Sequence, residues 1–462
     1  MSLLLSNLAA DIIFSIFRYS DICSVVSTGQ TCRYLYSLAF CKTVWLDLLY
    51  PMGIPDLQNL DIEDLLKLAK RLVTGPETWI RNPPSSQFLP EVSKEIVLHP
   101  RFNSGEHPAF NKSELLPSGR NLLFKTSKVL ECWDVEQDTL LWRHTSVLAS
   151  SPHFSVIRFA AEELNAGDAL VVMVCARCDD IIGQMSRFVE IVKVDLRERT
   201  HYPLLFARVP SDGLSFSNPV ICGTLAAVRT TDDTYFIADW QAQTYFTLTC
   251  CPDSPSQVVL IPGHVILKVA VSQGGHEMHV VSHDALLTHL IPVVGLEGEG
   301  ASEFNTVSSH ELTKLSTLSS ETVQHSFVHM SVLPSPTHQD EYRIWIYGCN
   351  LSKRPLPRYG LWCYQLSMPV GQPSRWRQRA VYPAWKEASY ISTTYSGHAL
   401  MSGNPQRWIV PPTQTPEVGE VDLAGLTAEI VDLTPVPYVH ISPYSGALTY
   451  STDNTIVIRW FK

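Results

Sequence analysis

Charge is scarce in this 462-residue chain: Asp, Glu, Lys and Arg together make up 17%, against roughly a quarter in ordinary soluble domains. The charge present leans acidic, with a formal net of −10. That excludes a broad phosphate-gripping surface, because non-specific nucleic-acid affinity rests on clustered Lys and Arg. No apolar run approaches the roughly 18 residues needed to span a bilayer. The N-terminus lacks the positive leading segment of a secretory signal, and Asn7 and Asp11 break its apolar stretch. The expectation is a cytoplasmic or nuclear protein with neither nucleic acid nor membrane among its partners.

Recognisable chemistry is equally scarce. The chain contains no Gly-x-Ser-x-Gly elbow and no His-Glu-x-x-His helix. Its 11 cysteines are an odd number without the dense spacing of a disulfide scaffold. Cys175-Ala-Arg-Cys178 is the only C-x-x-C, with no second pair at zinc-ribbon spacing. Gly295-Leu-Glu-Gly-Glu-Gly300 is glycine-rich, but no helix pattern follows at once and its glutamates would repel phosphate. His276, His279 and His283 are the densest histidine group. On a strand the last two would lie about 13 Å apart at roughly 3.3 Å per residue, too far to chelate one ion. No catalytic residue, cofactor or metal is expected, and the chain reads as a non-enzyme.

The sequence is rich instead in structural punctuation. Thirty-one prolines, 11 tryptophans and 17 tyrosines suit many short apolar strands separated by turns. Three regions differ in texture. Within residues 1–50, Leu8, Ile12, Ile13, Ile16 and Phe17 fall at spacings that stack on one side of a helix. After the Ser20-Asp21 break, where Asp21 is placed to cap, Val25 and Val26 and then Cys32, Leu35 and Leu38 continue helical spacing. Trp45, Leu48 and Leu49 close the segment. Three short helices make a marginal core, so a partner surface is a natural place for the remaining apolar side chains.

The run from Leu8 to Phe17, then Gly29-Gln-Thr-Cys-Arg-Tyr-Leu-Tyr-Ser-Leu-Ala39, then Val44-Trp45 resembles the F-box, in the form found in large families of fungal F-box proteins. The resemblance covers about a tenth of the chain. It departs from the pattern at Ala9, where Pro is usual, and in a first loop two or three residues short. It implies docking onto a Skp-type adaptor through Leu8, Ile12, Ile13, Ile16, Phe17, Val25, Cys32, Leu35, Leu38 and Trp45. Through that adaptor it implies a cullin and a RING subunit, which makes the chain the substrate-recognition subunit of an SCF-type ubiquitin ligase.

Residues 51–85 read as a helical connector, carried by Leu57, Leu60, Ile62, Leu65, Leu66 and Leu68 and stopped by Gly75-Pro76. Thr74-Gly-Pro-Glu-Thr-Trp79 also resembles the segment that follows the F-box in those fungal proteins. Residues 86–462 turn to repeated strands. Val129–Val135 with Thr139–Trp142, Tyr235–Trp240 with Thr244–Leu248, Ile344–Tyr347 with Leu361–Tyr364, and Phe188–Leu196 all carry the pattern, the first two with a Trp-Asp or Asp-Trp pair. This is the imprint of a degenerate WD-repeat-like β-propeller with six to eight blades of about 40–50 residues, seven favoured. The last strand, Thr455–Phe461, suits pairing with Glu95–Leu98 to close the ring.

The whole chain is thus an α+β multidomain protein: a three-helix F-box, a connector and a mostly β recognition domain. An irregular surface insertion is expected near 292–323, rich in Gly, Ser, Thr and Glu. Arg375-Trp-Arg-Gln-Arg379 reads as an exposed strand or rim loop, and Trp376, Trp385, Tyr390 and Tyr395 are candidate anchors for a target protein. Two other classes stay open: a scaffold that binds the Skp-type adaptor outside any ligase, and an intracellular propeller enzyme or ligand sensor. The enzyme reading requires paired acids or a polar cavity at the channel mouth.

Overall fold

The computed structural model describes residues 7–54, 56–79, 90–101, 112–146, 148, 151, 154–164, 167–179, 185–209, 216–231, 234–250, 257–270, 276–293, 305–316, 321–323, 326–350, 358–369, 374–384, 390–402, 407–410, 428–429, 439–452 and 454–462. The chain begins with α1 (Ala10–Arg18), α2 (Ile22–Gly29), α3 (Arg33–Ala39), α4 (Lys42–Leu49) and, after two 3-10 turns, α5 (Ile62–Thr74). The Asp21 carboxylate caps α2 by accepting from the Ser24 N–H at 2.7 Å, and Asp61 caps α5 through the Asp64 N–H at 2.8 Å. The segment before the connector holds four helices, α1 to α4, which corrects the three-helix expectation. Trp45, Leu48 and Leu49 lie on a helix of their own because Cys41 gives the chain an extended N-cap after α3.

Two small cores hold the helices. Ile13, Phe17, Val25, Leu35, Ala39 and Val44 pack α1 to α4 together. Ile22, Trp45 and Leu49 pack instead against Leu57, Leu65, Ala69 and Leu72. Leu65, Ala69 and Leu72 recur at the spacing of one helical face, so α5 belongs to the same folded body as α1–α4. Trp45 is buried with its indole N–H donating to the Ala39 carbonyl at 2.9 Å, which satisfies the one polar atom that burial would otherwise strand.

The described residues of the remainder form seven sheets, each built on antiparallel strands. Sheet I comprises Lys112–Leu115, Asn121–Lys125, Leu130–Asp134 and Thr139–Arg143; sheet II comprises Phe154–Leu164, Ala169–Asp179, Met185–Asp195 and Thr200–Val209. Sheet III comprises Ser217–Cys222, Leu225–Arg229, Thr234–Asp239 and Thr244–Thr249, the last also pairing with Ile291–Pro292 and Thr306–Ser308; sheet IV comprises Gln257–Ile261, His264–Ala270, His276–Ser282 and Glu321–Val323. Sheet V comprises Ser326–Pro334, Glu341–Asn350, Arg358–Ser367 and Arg375–Ala384; sheet VI comprises Tyr390–Thr393, Ala399–Ser402, Arg407–Val410 and Ala428–Glu429. These six follow one another along the chain. Sheet VII is composite: Val439–Ile441, Leu448–Ser451 and Ile456–Phe461 are joined by Val92–Leu98 from the other end of the domain.

Packing shows how the sheets are arranged. Leu123 faces sheet II with Phe154, Val172 and Val194, whereas Leu122 and Phe124 on the same strand face sheet VII with Leu98, Ile456 and Ile458. Ile344 and Ile346 face sheet IV, and Trp345 and Tyr347 face sheet VI. The remaining neighbours, II with III, III with IV and VI with VII, each share a core as well. The sheets therefore close into a ring, the β-propeller architecture, and their middle strands are buried on both faces. Each such Leu, Ile, Val or Phe contributes about 1.5–3 kcal/mol by leaving water.

Local chemistry repeats with the sheets. Asp134, Asp195 and Asp239 each end a third strand and accept two backbone N–H groups of the following turn, all at 2.8–3.0 Å. This side chain organises the tight turn into the fourth strand. Within 292–323, where an irregular insertion is expected, residues 305–316 carry regular structure. Thr306–Ser308 adds a parallel strand to Thr247–Thr249, and Ser308 with Glu311 forms a capping box on the helix Ser309–Lys314. Buried Val307 and Leu312 fix this element on the core between sheets III and IV. Gly295–Gly300 lies outside the described residues.

The helical body rests on first-to-second strand turns of sheets V, VI and VII. The Cys23 N–H donates to the Thr337 carbonyl at 3.2 Å, Tyr444 packs beside the α5 core, and Trp79 sets its ring edge-on to His398 at 5.1 Å. His398 is only 1% exposed, and this burial pushes its pKa down to about 4 although the Trp79 carbonyl opposes the shift.

Two outcomes follow from these contacts. Deleting residues 453–462 removes the strand that makes two of the composite sheet's three pairings, so calorimetry is expected to show loss of the ring's main transition; an unchanged Tm contradicts closure by that strand. His398 is held neutral in the folded chain, so its contribution is complete above the ordinary His value and is lost as pH falls from about 6.5 towards 4. Unfolding free energies measured over that window should drop by on the order of 3 kcal/mol, and His398→Asn should flatten the drop.

Candidate protein-docking surfaces

Helix α1 splits its apolar residues between two faces. Ile13 and Phe17 are buried, while Ile12 and Ile16 are 47% and 40% exposed and Tyr19, at the helix end, is 82% exposed. Positions 12, 16 and 19 lie one above another on a helix, so the three side chains form an outward apolar stripe. Tyr34 and Tyr36 of α3 are also exposed, and the Tyr34 hydroxyl donates to the Leu8 carbonyl at 3.2 Å, tying the start of α1 to α3. Leu8 and Leu38 are half-buried and Cys32 is exposed.

Five of the ten residues expected to meet an adaptor are not available to one. Ile13, Phe17, Val25, Leu35 and Trp45 are core residues, because a body this small needs most of its apolar side chains simply to hold four helices together. Ile12, Ile16 and Cys32, flanked by Leu8 and Leu38, are the part of the set that faces outward. Tyr19, Tyr34 and Tyr36 extend that face and were missed by reasoning from apolar spacing, because tyrosine's polar tip makes it ambiguous between core and surface.

The aromatic anchors proposed on the β domain divide differently. Tyr395 is 5% exposed, its hydroxyl donates to Ser335 Oγ at 2.8 Å, and the Arg343 guanidinium lies 4.1 Å over its ring. It braces the turns beneath the helical body and is not a rim anchor, a correction to the expectation. Trp376 is half-buried against the core of sheets IV and V, with exposed Arg375, Arg377 and Arg379 beside it on the outermost strand of sheet V. Trp385 lies outside the described residues, and Tyr390 opens the first strand of sheet VI with its side chain not among those described.

The strands innermost in the ring carry the charges that a catalytic channel would use. Burial works to raise the Glu114 carboxyl, but Lys112, 2.8 Å away, and His440 outweigh it and hold the group at about 2. Burial raises both Glu162 and Glu163. Glu162 accepts from the Gly223 N–H at 2.8 Å, and Glu163 accepts from the Ser118 N–H and hydroxyl at 2.7 and 2.6 Å. These neighbours on one strand point to opposite sides and tie sheet II to sheets III and I. Each carboxyl accepts from a turn of a different neighbouring sheet, so the two do not converge on one point.

Among the described residues, no three His, Cys, Asp or Glu side chains are grouped to hold a metal. His279 pairs with Glu277 at 3.2 Å and His283 with Asp239 at 2.9 Å, while His276 is buried. Cys175 is fully buried and its thiol is pushed well above the ordinary range by that burial. A shallow cleft of about 200 Å³ lies at the outer edge of sheets II and III, lined by Leu204, Phe206, Gln243 and Val293.

No family model matches this chain, and no curated protein matches it. Among solved structures it is similar to the WD40 domain of SCAP from fission yeast, at TM-score 0.41 and 8% identity over 76% of this chain and 84% of that one. It is also similar to the computationally designed Ika8 protein, at 0.38 and 9% over 81% and 100%, and to the N-terminal domain of Nup159, at 0.34 and 10% over 81% and 93%. The propeller assignment stands on the strand pairings and the closed circuit of inter-sheet cores, with a helical body at the N-terminal side.

Proposed function

We propose that this chain is a non-catalytic substrate-recognition subunit of an SCF-type, cullin-RING ubiquitin ligase, with residues 1–50 acting as an F-box and the ring, its composite sheet counted as a seventh blade, binding the target protein. The observation that carries the reading is the outward stripe of Ile12, Ile16 and Tyr19 on a helix whose opposite face is fully committed to the core. A contiguous exposed apolar patch rimmed by polar residues is what a protein-docking face requires, and the F-box resemblance names a Skp-type adaptor as the partner. Ala9 at the N-cap of α1 makes no side-chain cap bond, so α1 owes its position to Ile13 and Phe17.

The ring supplies the second surface. The helical body sits on turns at one end of it, which leaves the loops joining second to third strands, at the other end, for a target. Loops on a rigid scaffold are where binding specificity is usually placed. The chain breaks no bond: its contribution is proximity, since a tethered target experiences an effective concentration on the order of mM beside the transferring enzyme. Residence in cytoplasm or nucleus belongs to this reading.

Burying Ile12 and Ile16 against a partner contributes roughly 1.5–3 kcal/mol each before ordering costs. Ile12→Asp with Ile16→Asp should therefore weaken binding to a purified Skp-type adaptor by roughly 100-fold or more, measured by titration calorimetry. Both positions are exposed, so the melting temperature should stay within a few degrees. Full-strength binding by the double variant would overturn the docking face.

A further inference from the structure

The segment Thr74-Gly-Pro-Glu-Thr-Trp79 does more than connect. We infer that it is a clasp on the seam of the ring: the helical body and the closing strand hold each other in place, so the β domain is not closed independently of the helices. The seam is the pairing of Val92–Leu98 with Ile456–Phe461, where the two ends of the β domain meet. An Nη of Arg71, in the last turn of α5, donates to the Phe461 carbonyl. The Thr78 N–H and hydroxyl both donate to the Lys462 carbonyl at 2.9 Å, and the Glu91 N–H reaches the same hydroxyl at 3.4 Å. Residues of the connector thus bond the last residue of one seam strand and the residues that flank both strands, Lys462 and Glu91, at one end of the seam.

Packing reinforces the hydrogen bonds. Trp79 is fully buried and sits inside the core that sheets VI and VII share, with its ring 5.1 Å from that of Phe461. A side chain from the helical segment therefore fills space between two sheets of the ring. Two glycines make this approach possible. Gly75 has φ +77° and a Cβ there would lie 2.7 Å from Ser396 Oγ; Gly446 has φ +68° and a Cβ there would lie 3.1 Å from both Pro76 and Trp79. Both positions favour glycine twice over, for backbone and for space.

Linkage makes the coupling reciprocal: whatever loosens the clasp loosens the seam, and the reverse. Hydrogen exchange of the full chain, followed by mass spectrometry, reads both directions. Arg71→Met with Thr78→Val should accelerate exchange of residues 456–461 by roughly tenfold or more, while Lys67→Met, on the exposed side of the same helix, should not. Phe461→Ala should in turn accelerate exchange of Ile62–Thr74. Loss of seam protection in the first variant, confined there or spreading through the ring, supports the clasp. Unchanged seam protection overturns it, and so does a Phe461→Ala chain in which α5 keeps its full protection.

Discussion

Pairing between Val92–Leu98 and Ile456–Phe461 is the interaction on which the remaining architecture depends. A ring of sheets has no free end when closed and two raw ends when open. Every other sheet draws its four main strands from one region of the chain, but this one joins strands from opposite ends of the β domain. The entropic cost of that closure grows only slowly with loop length, so a short set of well-buried pairs is enough. Ile456 and Ile458 are fully buried against sheet I, and Val457 and Phe461 turn the other way towards sheet VI. Closure buries two faces at once.

The same circumstance explains the composition. A sheet in a ring is covered on both sides, so its middle strands admit apolar residues at successive positions, as in Leu122-Leu-Phe124 or Ile344-Trp-Ile-Tyr347. Charge is correspondingly sparse in the middle strands, where a few buried groups such as Glu131, Glu190 and Lys268 are the exceptions. The low charged fraction and the abundance of aromatic residues are two aspects of one geometry.

Much of this was legible in the sequence, and the limits have physical causes. Hairpins at Leu130–Arg143, Thr234–Thr249 and Glu341–Ser367 were readable because β-branched and aromatic runs flank turn residues. The closing strand was readable from Ile456-Val-Ile458 and Trp460-Phe461, apolar on either side of Arg459. Helical spacing located α1 and α2, but it did not say which apolar residues face inward: Ile12 and Ile13 are adjacent in sequence and opposite in exposure. Only the packing of α3 and α4 decides that. Tyr395 was misassigned for the parallel reason that a tyrosine whose hydroxyl finds Ser335 is as stable inside as outside. The helix Ser309–Lys314 went unread because its capping box is followed by only one buried leucine, too little periodicity to outweigh its polar surroundings.

Under the proposed function two surfaces share one frame, the apolar stripe on α1 and the far end of the ring, with Trp79 buried where the helical body meets sheets VI and VII. A receptor of the proposed kind uses that relation, and Glu162 and Glu163, adjacent on one strand, are drawn to opposite sides. The most direct measurement is the composition of complexes recovered with the full chain from cells whose proteasome is blocked. The account predicts a Skp-type adaptor together with cullin and RING subunits and at least one ubiquitylated protein. Recovery of the chain with neither adaptor nor cullin would contradict it.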